Sequence, residues 1–225
     1  MLELYLKGGF WMHPILAASV VALAVALERG WYFWQIRGEI PALFQALSDS
    51  LSKGDPDGAV EAAGKIVGPV GVVLKEGLKH QEEGPEIVQE VMAIRGEEVL
   101  RSAQRGIPVL ALIASISTML GLLGTVVGLV EAFQKVAEME SRVSPALLAS
   151  GIWAALVTTV GGLFVAIPTL ILHHYFQEKV AHLTFQIEHY GNEMLLLFRR
   201  GTGMTGQSIR SRSLPQYAPT GETGE

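Results

Sequence analysis

The chain has 225 residues, a formal net charge of −5 and no cysteine; 49% of its residues are hydrophobic and only 17% charged. Ordinary globular chains carry about 25% charged residues, so the balance points away from a soluble domain. The missing cysteine excludes disulfides and thiol catalysis, and the acidic balance gives no reason to expect nucleic acid as a partner.

The charges are unevenly spread. Three stretches contain no Asp, Glu, Lys or Arg: residues 8–27 (20 residues), 106–130 (25) and 143–177 (35). A spanning helix needs about 20 apolar residues, because it crosses a hydrocarbon core of about 30 Å at roughly 1.5 Å per residue. All three are long enough. Three such runs in one small chain argue against burial in a soluble core.

The first run is read as a retained span. It lacks a basic leader, and it ends in Leu27-Glu28-Arg29-Gly30-Trp31-Tyr32-Phe33-Trp34 where a secretory signal would have small residues. Aromatic residues beside charges form an interfacial belt. Beyond it, Ile40, Leu43, Phe44, Leu47 and Leu51 share a helical face, and Lys53 to Gly58 is a turn. Val70, Val73, Leu74 and Leu78 mark a further short amphipathic helix, and Gly84-Pro85 breaks the chain. From Pro85 to about Phe133 only Pro108 interrupts the pattern, which predicts one long helix of roughly 70 Å.

Small and hydroxyl residues recur inside the second and third runs. Ala114, Ser117, Thr118, Gly121, Thr125 and Gly128 lie near one face of the second, with Gly124 and Gly128 spaced as a GxxxG pair. Gly151, Ala155, Thr159, Gly162 and Ala166 do so in the third. Such faces allow close helix approach. Packing within one subunit explains them; so does a narrow passage between several copies, lined by Thr118, Thr125, Thr158 and Thr159. Pro168 frees the carbonyl of Phe164, as a bend or a water-binding point.

After the third run, Phe176, Val180, Leu183, Ile187, Tyr190, Met194 and Leu197 form a heptad-like stripe, suited to packing within the subunit or between subunits. His173 and His174 mark the exit from the bilayer. They and His182 and His189 make no complete metal-ligand set, and no catalytic set or phosphate loop is present. Neither a cofactor nor enzymatic activity is expected. Residues 201–225, rich in Gly, Ser, Thr and Pro, read as disordered.

Arg29 and Arg37 follow the first span, Arg95, Arg101 and Arg105 precede the second, and Lys179, Arg199 and Arg200 follow the third. The positive-inside rule then puts the N-terminus outside and the C-terminus in the cytoplasm. The expected segments are a periplasmic N-terminus (1–9), a first span (10–34), a cytoplasmic helical region (35–105), a second span (106–130), a periplasmic loop (131–147), a third span (148–174), a cytoplasmic helical extension (175–200) and a tail (201–225). The fold class is all-α, an integral membrane protein with three transmembrane helices and long cytoplasmic helical extensions.

None of the three runs holds an Asp, Glu, Lys or Arg. Ion-coupled transport relies on an intramembrane ionisable group, and threonine does not titrate near neutral pH. A proton pathway through this chain therefore needs its acid from a partner.

Leu120-Gly121-Leu122-Leu123-Gly124-Thr125-Val126-Val127-Gly128-Leu129, running on to Phe133, resembles the second span of the ExbB/TolQ/MotA proton channel family. Gly151-Ile152-Trp153-Ala154-Ala155-Leu156-Val157-Thr158-Thr159-Val160-Gly161-Gly162-Leu163-Phe164-Val165-Ala166-Ile167-Pro168 looks like that family's third span. The resemblance covers about residues 5–200, in layout more than motif over the first third. It implies a homopentamer around a central pore that holds an ExbD/TolR-like single-span partner carrying the ionisable Asp, with a TonB- or TolA-like protein downstream. It also implies a bacterial inner membrane location, surrounded by lipid, and coupling of a proton or sodium motive force to work on the cell envelope. Thr125 and Thr159, with Thr158 behind them, become the ion-pathway residues, and Gly121, Gly124, Gly128 and Gly162 the helix-packing residues. Many relatives have glutamate where this chain has Ala154, which leaves the coupling ion and subtype open. A non-conducting scaffold and a flagellar or gliding-type stator remain alternatives. A secondary transporter would need an intramembrane charge and repeated halves, and the sequence has neither.

Overall fold

The computed structural model describes residues 11–36, 38, 40–138 and 145–210. Among these the regular structure is helical throughout: α1 Met12–Gln35, α2 Ile40–Ser52, α3 Pro56–Lys65, α4 Pro69–Lys79, a 3₁₀ turn Gln81–Glu83, α5 Pro85–Gln104, α6 Ile107–Glu138 and α7 Pro145–Arg210. Three helical stretches are long and apolar enough to cross a membrane: Met12–Gln35, Pro85–Glu138 and Leu148–Arg199. The expected N-terminal segment, 1–9, lies outside the described residues, as do 211–225.

The chain divides into two compact units, residues 1–36 with 100–182 and residues 37–99 with 183–225. In the first unit the spans expose much of their apolar surface: Leu16, Val20, Leu23 and Leu27 on α1, Leu112, Met119, Leu122 and Val126 on α6, and Leu156, Val160, Phe164 and Ile171 on α7. Such surface is stable against lipid and costly in water. The small residues are buried, Ala114, Ser117, Gly121 and Gly124 on α6 and Ala155, Thr158 and Ala166 on α7, together with larger side chains such as Ile15, Leu110 and Phe176.

The single helix expected from Pro85 to Phe133 is in fact two. Gly106 adopts φ +79° between α5 and α6. Pro108 has no N–H to return to the Gln104 carbonyl, and its ring crowds that carbonyl. The chain closes α5 with Arg105 N donating to Ser102 O at 3.3 Å and restarts with Val109 N donating to Gly106 O at 3.1 Å. Only glycine takes this left-handed conformation without strain. Gly106→Ala should therefore cost about 1–2 kcal/mol, read as a lower unfolding midpoint of the purified protein; an unchanged midpoint would show that the break does not constrain the fold.

Two side chains from flanking helices hold the break. Arg29 of α1, only 6% exposed, donates from Nη1 to Ser102 O at 3.1 Å and to Ala103 O at 3.5 Å. Its Nη2 donates to Glu28 Oε1 at 2.6 Å. Buried His173 of α7 places Nδ1 3.0 Å from Ile107 O, so that nitrogen carries the proton, since a carbonyl can only accept. Phe176 stacks on Phe33 with centroids 5.9 Å apart.

In the second unit, local signals set the short helices. Asp55 caps α3, its Oδ1 accepting from Gly58 N at 3.0 Å, with Pro56 in the first turn. Gly68 and Gly84, at φ +95° and +102°, turn the chain into Pro69 and Pro85. Of the predicted α2 face Ile40, Phe44 and Leu47 are buried, and Val70, Val73, Leu74 and Leu78 of α4 are all buried. Gly77 abuts Met92 and Met194, and Phe44 meets Tyr190 at 4.8 Å. The stripe expected on α7 is therefore spent within the subunit: Leu183, Ile187 and Met194 are buried. Lys65 and Lys79, bonded to Glu61 and Glu76, hold those carboxyls below their usual range.

The helix that carries the third span also differs from expectation. α7 continues to Arg210, ten residues into the stretch read as disordered. Once a helix exists each added residue gains a bond at little nucleation cost, so Gly201 and Gly203 do not stop it. The connection expected over 131–147 is helical at both ends, to Glu138 and from Pro145; residues 139–144 lie outside the described set.

Candidate functional site

The two small-residue faces meet each other. A Cβ at Gly121 would stand 3.1 Å from Thr158 O and 3.3 Å from Gly162 Cα. At Gly162 it would stand 2.5 Å from Ser117 O, and at Gly128 2.9 Å from Ala155 Cβ. At Gly124 it would meet the Thr158 side chain at 2.5 Å. Helices this close crowd anything larger than glycine at Gly124, at Gly128 and at the facing pair Gly121 and Gly162, and the gain is dispersion and backbone dipole contact where lipid offers no hydrophobic drive.

The hydroxyls are organised by the same contact. Thr159 Oγ1 donates to Gly121 O at 3.0 Å, across the helix pair. Thr158 Oγ1 donates to Ala155 O at 2.7 Å and lies 3.3 Å from Gly121 O. Thr125 Oγ1 donates to Leu122 O at 2.6 Å, and Thr118 Oγ1 to Ala114 O at 3.0 Å. The three predicted pathway threonines therefore converge within about one turn of Gly121. They differ in access: Thr158 is 2% exposed, whereas Thr125 and Thr159 are half-buried.

A hydroxyl that donates its one proton to a carbonyl keeps two lone pairs. Thr125 and Thr159 can thus present only acceptor character to whatever lies beside them, suited to water, hydronium or a bare cation and unsuited to an anion. Ser117 is fully buried and its Oγ has no partner among the described residues.

At the ends of α6 and α7 next to their connection, a cavity of about 260 Å³ is lined by Gly128, Glu131, Ala132 and Lys135 of α6 and by Ser150, Gly151 and Ala154 of α7. Sequence reasoning found Ala154 as a departure but not the cavity it borders. It also missed the buried roles of Arg29 and His173. Arg29 was legible as a flanking charge, and its burial depends on carbonyls freed 73 and 74 residues away. Among the described residues no group of His, Asp and Glu is placed to hold a metal.

Residues 66–189 match the model of the MotA/TolQ/ExbB proton channel family. A biopolymer transport protein ExbB-like 1 of Synechocystis is 32% identical over 212 residues, covering 88% of this chain and 79% of that protein. The chain belongs to the MotA/TolQ/ExbB proton channel family. An ExbB homolog of Methanothermobacter thermautotrophicus, described as a biopolymer transport protein, is 31% identical over 180 residues, 80% of this chain. The match spans 63% of that relative's length. The biopolymer transport protein ExbB of Pseudomonas putida is 26% identical over 216 residues, 90% of this chain and 64% of the relative. Three apolar helices and this membership make the chain a multi-pass membrane protein. The matched segment contains both threonine-bearing spans and part of the second unit, while α1, α2 and α3 stand outside it.

Proposed function

We propose that the chain is the multimeric stator subunit of an inner-membrane motor, five copies enclosing a passage lined by Thr125 and Thr159. A single-span partner of the ExbD/TolR type supplies the titratable Asp inside it, and ion flow displaces that partner to do work on the envelope. The helical segments 35–105 and 175–200 face the cytoplasm in this arrangement, as the Lys/Arg bias suggests. The observation that carries the reading is the pair of half-exposed hydroxyls whose protons are tied to Gly121 O and Leu122 O. Their lone pairs offer a cation path in spans that have no acid of their own. Thr158, spent on Ala155 O and buried, supports the wall from behind. Hydroxyl oxygen serves protons through water and sodium directly.

The test is flux. The full-length protein, purified with a small single-span membrane protein that it retains, should have the mass of five copies and should pass protons or sodium ions into liposomes only when both proteins are present. A one- or two-copy particle that still conducts, or a five-copy particle that never does, would refute the proposal. The second outcome would favour the non-conducting scaffold, which draws support from the closeness of α6 and α7.

A further inference from the structure

The cavity at the connected ends of α6 and α7 has an uneven chemistry. Its walls are the smallest residues available, Gly128, Ala132, Gly151 and Ala154, and its polar groups are Glu131, Lys135 and Ser150. The helices nearly touch beneath it, since a Cβ at Gly151 would stand 2.6 Å from Ala132 Cβ. Glu131 and Lys135 are four residues apart with the acid first, the order that best favours an ion pair on a helix. The same order closes in α3, where Lys65 Nζ lies 2.8 Å from Glu61 Oε1. Among the described residues no ion pair joins Glu131 to Lys135. One carboxylate and one ammonium therefore border the same cavity without neutralising each other.

The depth of the cavity is set by the sequence. Gly128 and Ala154 belong to the uncharged runs, and Glu131 is the first charge beyond the second run. Phe133 and Trp153, each 58% exposed, lie within a turn of this level, where aromatic rings mark the zone of lipid headgroups. A ligand here must carry both charges a short distance apart, and the surrounding phase provides one.

We propose that this cavity binds the headgroup of a zwitterionic aminophospholipid of the phosphoethanolamine type. The phosphate sits against Lys135 and the primary ammonium against Glu131, with charge-assisted hydrogen bonds to both. Ala154 is part of the device, since a longer side chain there would take space from the headgroup. The same geometry discriminates. A phosphoglycerol headgroup brings the anion and neutral hydroxyls but no cation for Glu131, and a quaternary choline cannot donate a hydrogen bond to it. The site is independent of the ion-pathway reading, because neither Thr125 nor Thr159 lines it.

Native mass spectrometry of the full-length assembled protein, titrated with ethanolamine, choline and glycerol phospholipids of identical chains, tests this. The ethanolamine lipid should be retained about tenfold better than the glycerol lipid, the scale of one charge-assisted contact. Glu131→Gln should erase that preference, and Lys135→Gln should weaken retention of the ethanolamine lipid about tenfold. Ala154→Leu should lower ethanolamine-lipid retention with both charges intact; if it fails to assemble, the two exposed glutamine variants decide the matter alone. Equal retention of all three lipids, or preferences that survive both glutamine substitutions, would overturn the proposal. Displacement of the lipid by soluble phosphoethanolamine at equal concentration would overturn it in favour of a site for a free zwitterion.

Discussion

Gly162→Val should unseat α6 from α7. The Cβ that valine brings would stand 2.5 Å from the Ser117 carbonyl oxygen and 3.0 Å from Gly121 Cα. Both are backbone atoms of a packed helix, so no rotamer change relieves the clash and the helices must separate. Overpacking of this kind costs about 3 kcal/mol, and separation also strips Gly121 O of the Thr159 hydroxyl. The measurement is the unfolding midpoint of the purified protein in detergent, together with the yield of assembled particle. Gly161→Ala is the matched control. Its Cβ would meet Met12 Sδ at 3.0 Å and Cε at 3.1 Å, the end of a flexible side chain that can give way, so it should cost under about 1 kcal/mol. If Gly162→Val proved as mild as Gly161→Ala, the close approach of α6 and α7 would be wrong.

Adjacent glycines with opposite expected tolerance show where sequence reading stops. The periodicity of small residues placed Gly121, Gly124, Gly128 and Gly162 on faces that the fold uses, because spacing of three and four is a property of one helix. What those faces meet is a property of two. The small faces were compatible both with packing inside one subunit and with a wall shared between copies, and what is seen is the first, in which Gly121 O receives hydroxyls from the other helix 37 and 38 residues along the chain. The heptad stripe on α7 posed the same choice, and Met92, Gly77 and Phe44 take it up within the subunit. The break at Gly106 was hidden differently. Pro108 was visible, but a proline in a first turn and a proline inside a helix read alike until the residue two before it is seen at positive φ. Arg29 and His173, which grip the carbonyls on either side of that break, were legible only as border residues. Span existence thus came from local pattern and the family from the resemblance of two motifs; which helix each face would meet did not.

The ion-pathway proposal makes its sharpest demand on three valine substitutions. Thr125→Val and Thr159→Val keep shape and remove an oxygen whose lone pairs, with its proton held by Leu122 O or Gly121 O, are its only outward chemistry. Those carbonyls lie within α6 and keep helical partners, so each change should alter stability by no more than about 1 kcal/mol. Each should lower partner-dependent ion flux about tenfold, the scale of one hydrogen bond to a charged species, and serine at either position should restore it. Thr158→Val removes an equally polar group one residue away, but that group is buried and bonded to Ala155 O. It should leave flux within about twofold while the unfolding midpoint falls, because the change keeps the side chain's shape against Gly124 but removes a buried hydroxyl bonded to Ala155 O and 3.3 Å from Gly121 O. The three variants separate a lining role from a packing role at the same level of the same helices. Flux that survives valine at both 125 and 159 in an intact particle would leave the hydroxyls a purely structural task, with the ion path elsewhere or absent.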